Sequence, residues 1–217
     1  MLKFQFAIEK GQPLRVLCLG AHSDDIEIGC GGTVLRLAAE VNHIEIYWVV
    51  FAANGQRAVE ARDSVTLFLK NTKQKKIVIE DFRDGFFPYI GVEIKEYFEK
   101  LRNEFEPDII FTHYRNDLHQ DHRLISDLTW NTFRDHLILE YEIPKYDGDL
   151  GSPNCFVLVT EDLSRRKIQT ILSCFKTQTG NHWFTEDAFL STLRIRGLES
   201  NAPEKYAEGF FCRKIVF

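Results

Sequence analysis

The stretch Arg15–Gly20 (RVLCLG), followed by AHSDDIEIGCGGT at residues 21–33, decides the fold class. Residues 15–20 form a short apolar run that ends in glycine, which is typical of a strand buried inside a parallel sheet. We interpret residues 20–33 as a polar, glycine-rich loop that follows this strand. Because ligand sites in open α/β sheets lie beyond the carboxyl ends of the strands, this loop is a candidate functional segment.

Strand and helix patterns alternate outward from this stretch. Further strands are predicted at 44–52, 76–79 and 108–112, and helices at 34–41, 59–70, 90–105 and 121–133. Beyond them we predict strands at 154–159 and 210–216 and helices at 163–175 and 186–198. Such alternation indicates an α/β fold with a mostly parallel sheet. Since no repeat, low-complexity segment or linker interrupts it, we expect one domain over residues 1–217.

Composition narrows the classes of partner and compartment. The chain has 217 residues, 44% of them apolar and 27% charged, and a formal net charge of −5. This acidic balance argues against nucleic acid or an anionic membrane as the main partner. The N-terminal region lacks the apolar core of a signal peptide, and no run approaches the ~18 apolar residues of a membrane helix. Five scattered cysteines without a CxxC pair favour reduced thiols and a cytoplasmic protein.

A second segment dense in metal-binding side chains follows the predicted strand at 108–112. It reads HYRNDLHQDH at residues 113–122, and four of the seven histidines of the chain lie at or beside the two strand ends. Two imidazoles and one carboxylate would leave an open coordination position, which is the pattern of catalytic zinc. In the adjacent pair Asp24 and Asp25, one carboxylate can bind metal while its neighbour handles a proton.

At these residues the sequence resembles the LmbE-like, or PIG-L, deacetylase family. That family carries A-H-P-D-D-I-E followed by G-x-G-G-T, and later H-x-D-H; here the corresponding stretches are AHSDDIEIGCGGT at 21–33 and HQDH at 119–122. The stretch YAEGF at 206–210 also looks like the C-terminal end of the family. The resemblance implies a Rossmann-like fold, with helices flanking a mostly parallel sheet and the site at the carboxyl ends of its strands.

The resemblance also implies a metal and its ligands. His22, Asp25 and His122 match the ligands of Zn²⁺ in the family, and Asp24 matches its general base. Ser23 replaces the proline of the signature, so the turn between the ligands is less stiff.

Four more residues take roles from the resemblance. His119 matches the histidine that assists at the tetrahedral intermediate, and Asp121 matches the carboxylate that supports that site. Arg57 and Asp84 lie near positions that contact the substrate in the family. For Arg57 the alternative is a surface ion pair with Glu60, three residues on along a helix.

Two other residues near the loops, His113 and Cys30, each allow two interpretations. His113 either lines the pocket or is a hydrogen-bonded histidine at a strand end. Cys30 is either a soft metal ligand or a small residue packed between Gly29 and Gly31.

These expectations describe a zinc-dependent hydrolase that removes an N-acetyl group from a small amino-sugar derivative, nucleotide-linked forms included. The alternative is a non-catalytic metal- or sugar-binding module of the same fold, although such a module needs no free carboxylate beside the ion. A dinucleotide-binding oxidoreductase is excluded because the first loop lacks G-x-G-x-x-G. The sequence leaves open the exact substrate and whether the chain forms a homo-oligomer.

Overall fold

The computed structural model describes residues 11–216. Within them one seven-stranded sheet has the order β3-β2-β1-β4-β5-β7-β6. The strands are β1 Leu14–His22, β2 Ile44–Ala52, β3 Gln74–Ile79, β4 Ile109–His113, β5 Leu137–Tyr141, β6 Cys155–Val159 and β7 Tyr206–Cys212. The first five strands in this order are parallel to one another, and β7 runs antiparallel to β5 and β6. The predicted α/β class with a mostly parallel sheet is confirmed.

Helices cover both faces of the sheet. They are α1 Asp25–Glu40, α2 Gly55–Phe68, α3 Gly91–Glu104, α4 Gln120–Thr132, α5 Glu161–Cys174 and α6 Glu186–Glu199. The apolar side chains of α3 and α4 share one core with one face of the sheet, and those of the other four helices share a second core with the opposite face. Strand β1 contributes Val16 and Cys18 to one core and Leu17 and Leu19 to the other, which explains its uninterrupted apolar sequence.

The prediction of a long loop over residues 20–33 is wrong. Helix α1 begins at Asp25, and its glycines allow the helix to approach its neighbours closely. A Cβ atom on Gly29 would lie 2.1 Å from the Tyr141 ring, and one on Gly31 would lie 2.7 Å from the Phe68 ring. The glycine-rich run is therefore a packing surface of a helix, which local sequence cannot distinguish from a loop.

Two strands of the C-terminal half also differ from the prediction. Strand β5 was not predicted, although its residues 138–141 are buried between β4 and β7. Strand β7 begins four residues before the predicted range of 210–216, because Glu208 is buried in the strand. Its carboxylate accepts hydrogen bonds from the backbone of Gly32 and Thr33 and pairs with Lys167. None of the helices in the described part of the chain is both long and apolar enough to cross a bilayer.

Replacement of Gly29 tests this close packing. We expect Gly29→Ala to lower the free energy of unfolding by about 1–3 kcal/mol, because the added methyl group forces the Tyr141 ring and α1 apart. Gly91→Ala is the matched control, since a Cβ atom there meets nothing closer than 3.9 Å. Urea unfolding of both variants measures the difference, and equal stability would contradict the helical packing of the glycine-rich run.

Candidate metal centre

The two polar segments meet because their strands are neighbours. Strand β1 ends at His22 and the adjacent parallel strand β4 ends at His113. Helices α1 and α4 begin within the two segments, at Asp25 and Gln120, so both helix N-termini lie at the same edge of the sheet. Buried carboxylates are favoured near helix N-termini, where the backbone N–H groups point outward. The topology therefore places the predicted site residues at one edge.

The three predicted metal ligands converge. His22 Nδ1 lies 3.1 Å from His122 Nε2 and 3.3 Å from Asp25 Oδ2, and His122 Nε2 lies 3.5 Å from Asp25 Oδ1. All three residues are buried. Donor atoms around a tetrahedral zinc ion are roughly 3.3 Å apart, given zinc–ligand bonds of about 2.0–2.1 Å. The donor types and their spacing thus fit a divalent metal.

Among the described residues, the predicted set of three is not one of the groups in which one donor atom per residue lies within 4.8 Å of the others; three other combinations in the same cluster are. They are His22 with His119 and His122, Asp25 with His113 and His122, and His22 with Asp84 and Asp121. The ring of His113 is already engaged, because its Nε2 accepts a hydrogen bond from the backbone N–H of Ala21 at 2.9 Å. This contact supports the interpretation of His113 as a hydrogen-bonded histidine at a strand end.

In each of the two histidines predicted as ligands, the ring nitrogen that faces away from the other donor atoms contacts a carboxylate. His22 Nε2 lies 3.2 Å from Asp84 Oδ1 and 3.4 Å from Asp121 Oδ2, and His122 Nδ1 lies 2.9 Å from Asp117 Oδ2. Such contacts fix the tautomer and orientation of a metal-binding imidazole. Asp117 carried no role in the sequence analysis, although it lies in the same histidine-rich segment.

The protonation of the ligands follows from burial and charge. Burial lowers the pKa of His122 to about 3, with the charge of His113 acting in the same direction, so this imidazole is neutral as a ligand must be. Burial also lowers the pKa of His22, but the charge of Asp25 and hydrogen bonds to carboxylates outweigh it and raise the pKa well above its usual value. Metal binding must therefore displace a proton from His22.

Asp24 has the environment of a general base. Its side chain is buried, and Oδ2 has no hydrogen-bond partner among the described residues. Burial raises its pKa to about 7, assisted by the charge of Asp25 and opposed by Arg57 and His22. A buried carboxylate oxygen without a protein partner is costly, and a bound water, ion or reactant would satisfy it.

His119 and Asp121 lie beside the predicted ligands but contact different groups. The Nδ1 atom of His119 accepts a hydrogen bond from the backbone N–H of Asp121 at 3.3 Å, and burial lowers the pKa of this histidine. The Asp121 carboxylate accepts hydrogen bonds from the backbone of Gly85 and Phe87 and contacts His22. Asp121 therefore holds His22 and the segment around Gly85 in place.

Arg57 and Asp84 form a pair at the rim of the site. Arg57 Nη1 donates to Asp84 Oδ2 at 2.7 Å, and Arg57 Nε has no partner among the described residues. The alternative ion pair between Arg57 and Glu60 is wrong. Glu60 is buried and accepts hydrogen bonds from the backbone and side chain of Thr177 instead.

Cys30 is part of the core. It is fully buried, and burial together with Cys18 raises the pKa of its thiol well above the usual value. A soft thiolate ligand needs the opposite shift. None of the donor groups found among residues 11–216 includes a cysteine, so the packing interpretation is supported.

The protein thus has an α/β fold and, at the carboxyl ends of its parallel strands, a cluster of histidine and aspartate side chains suited to bind a metal ion. Residues 17–133 match the PIG-L family, GlcNAc-PI de-N-acetylase. The match covers more than half of the 217 residues and includes all eight predicted site residues. The chain belongs to this LmbE-like family, and membership indicates a hydrolytic N-deacetylase of amino-sugar substrates.

Solved structures share the fold across nearly the whole chain. N,N'-diacetylchitobiose deacetylase from Pyrococcus horikoshii, in complex with an inhibitor, is 21% identical with a TM-score of 0.68, covering 92% of this chain and 83% of that one. A zinc-inhibited form of teicoplanin deacetylase is 14% identical with a TM-score of 0.70 (91% and 97% covered). GalB, the 4-carboxy-2-hydroxymuconate hydratase from Pseudomonas putida KT2440, is 14% identical with a TM-score of 0.67 (94% and 97% covered). At these identities the likeness concerns the fold, which also serves a hydratase.

Proposed function

We propose that this protein is a zinc-dependent hydrolase that removes the N-acetyl group from a small amino-sugar derivative. The observation that carries the proposal is the close approach of His22, Asp25 and His122, whose nearest donor atoms lie 3.1–3.5 Å apart pair by pair, together with the adjacent Asp24, whose Oδ2 has no partner among the described residues. We further propose that residues 1–217 act as one domain. The scattered, free cysteines favour the cytoplasm as the compartment.

The chemistry needs a metal, a base and an oxyanion donor. A bound zinc ion would polarise the acyl carbonyl and acidify a coordinated water. Asp24, with its pKa near 7, accepts the proton of the attacking water and passes it to the amine nitrogen as the C–N bond breaks. The products are acetate and the free amino sugar.

His119 is oriented to stabilise the oxyanion. Since its Nδ1 atom accepts a backbone hydrogen bond, the proton of the neutral ring is on Nε2 and can be donated. The lowered pKa keeps this imidazole neutral. Asp121 serves the reaction by orienting His22, a ligand, through the contact with Nε2.

Arg57 and Asp84 are the proposed substrate contacts. Asp84 links the guanidinium to the cluster of predicted ligands, because its carboxylate contacts both Arg57 and His22. Its unpartnered Nε and planar fork suit sugar oxygens or a phosphate. This geometry favours a polar N-acetyl amino sugar, free or nucleotide-linked.

Amine release from a panel of N-acetylated sugars and nucleotide sugars tests the function. The protein should be assayed across a zinc titration that begins below one ion per chain, because a related deacetylase has been described in a zinc-inhibited form. Equimolar acetate and amine from at least one substrate would support the hydrolase. Zinc binding without any product across the panel would favour the non-catalytic module.

Substitution of Arg57 tests the substrate contact. We expect Arg57→Ala and Arg57→Lys to lower kcat/KM by roughly 10- to 100-fold, because hydrogen bonds to charged groups contribute about 1.5–3 kcal/mol. Zinc content should stay unchanged. The control is Arg62→Ala, an exposed arginine on the same helix. Kinetics of the Arg57 variants that equal those of the Arg62 variant would exclude the substrate role.

A further inference from the structure

A buried ionic network lies behind the ligand His122. One oxygen of Asp117, Oδ2, lies 2.9 Å from His122 Nδ1 and 2.9 Å from Lys145 Nζ. Lys145 Nζ also lies 2.5 Å from Asp149 Oδ2, which accepts a hydrogen bond from the backbone N–H of Leu118 at 2.7 Å. The imidazole and the ammonium therefore share a single carboxylate oxygen.

The lysine of this network comes from a different part of the chain than the metal-binding segments. Lys145 and Asp149 lie between β5 and β6, beyond residues 17–133 that match the family. The Lys145 side chain is only 12% exposed and the side chains of its two carboxylate partners are 5% exposed or less. Because the network is largely shielded from water, its charges act strongly on one another.

We propose that Lys145 is a positioning residue that acts through Asp117 to limit the electron donation of His122 to the metal; this inference rests on the proposed function. The ammonium draws negative charge toward itself on the oxygen that accepts the His122 Nδ1 proton. Asp117 is thereby a weaker acceptor, and the metal-facing Nε2 of His122 is a weaker donor. A metal ion bound there would then be a stronger Lewis acid.

This role predicts a direction that a purely structural lysine does not. Without the ammonium, Asp117 pulls harder on the His122 proton, Nε2 becomes more basic, and the metal binds more tightly. If Lys145 only held the loop in place, its removal would loosen the segment that carries Asp117 and weaken metal binding. The sign of the change in metal affinity therefore separates the two roles.

The test is the zinc dissociation constant of the full chain, measured by competition with a chromophoric chelator at fixed pH and ionic strength. We expect Lys145→Met to bind zinc about tenfold more tightly than wild type, the lower end of effects seen for such outer contacts. Lys145→Arg keeps the charge and should restore the wild-type constant. Lys145→Gln, which keeps a hydrogen-bond donor but no charge, should follow the methionine variant and serves if that variant does not fold.

A double-mutant cycle with Asp117→Asn shows whether the effect passes through Asp117. If it does, Lys145→Met should change the zinc affinity much less in the Asp117→Asn background than in wild type. Equal or weaker zinc binding by both uncharged variants, or the same gain in both backgrounds, would overturn the role of Lys145. Wild-type protein that binds no zinc would instead overturn the proposed function, and this inference with it.

Discussion

Alanine at His22, Asp25 or His122 is expected to abolish metal binding and, with it, hydrolysis. The nearest donor atoms of each pair of these residues lie within 3.5 Å, and we propose that each residue supplies one of three protein ligands. A site with three protein ligands should not bind the ion after the loss of one of them, because only two bonds to the protein would remain and water would fill the other positions. Even outer contacts of metal sites are typically worth about 10- to 100-fold in affinity, so loss of a direct ligand should exceed that.

Elemental analysis after dialysis measures this effect. Wild-type protein should retain close to one zinc ion per chain, and each of the three variants should retain almost none. His43→Ala is the control, since His43 is an exposed histidine before β2, away from the cluster. Full zinc occupancy in any of the three ligand variants would remove that residue from the metal site.

Asn in place of Asp24 is expected to keep the metal and lose the reaction. The amide has nearly the same shape as the carboxylate but cannot accept a proton, and general-base contributions are typically about 10²–10⁴-fold. We therefore expect kcat to fall by that factor. The raised pKa also predicts the pH dependence of the wild type: because the base must be unprotonated, kcat/KM should rise with pH through about 7.

The control for this variant is Asp63→Asn, which neutralises an exposed carboxylate on α2. Both variants should contain zinc at the wild-type level, and only Asp24→Asn should be inactive. Wild-type turnover by Asp24→Asn would refute its role as the base. Loss of zinc from this variant would show that Asp24 is a ligand instead.

The core strands could be predicted from the sequence because they are buried on both faces. Strands β1 and β2 read as continuous apolar runs, and their predicted ranges agree with the observed bounds to within a few residues. The start of α1 could not be predicted, since the partners that require Gly29 and Gly31, Tyr141 and Phe68, are distant in sequence. Patterns along the chain carry no information about such contacts.

For the site too, some features could be predicted from the sequence and others depend on contacts between distant parts of the chain. The two segments after β1 and β4 predicted the cluster, because neighbouring parallel strands bring their carboxyl ends together. The contacts of Asp117 with His122 and Lys145 could not be predicted, since they depend on how the chain after β5 folds back toward His122. Helical spacing also suggested an ion pair of Arg57 with Glu60. This pair does not form, because the Glu60 carboxylate accepts hydrogen bonds from Thr177, which is distant in sequence.

Hydrolysis in ¹⁸O-labelled water, with metal-free and zinc-reconstituted protein side by side, tests whether a metal-activated water removes the N-acetyl group. On an N-acetylated amino sugar that the protein accepts, we expect acetate and free amine in equal amounts and the label in the acetate. We also expect that activity disappears with the metal and returns when zinc is restored. Amine release that survives complete metal removal, or acetate without solvent oxygen, would contradict hydrolysis by a metal-activated water.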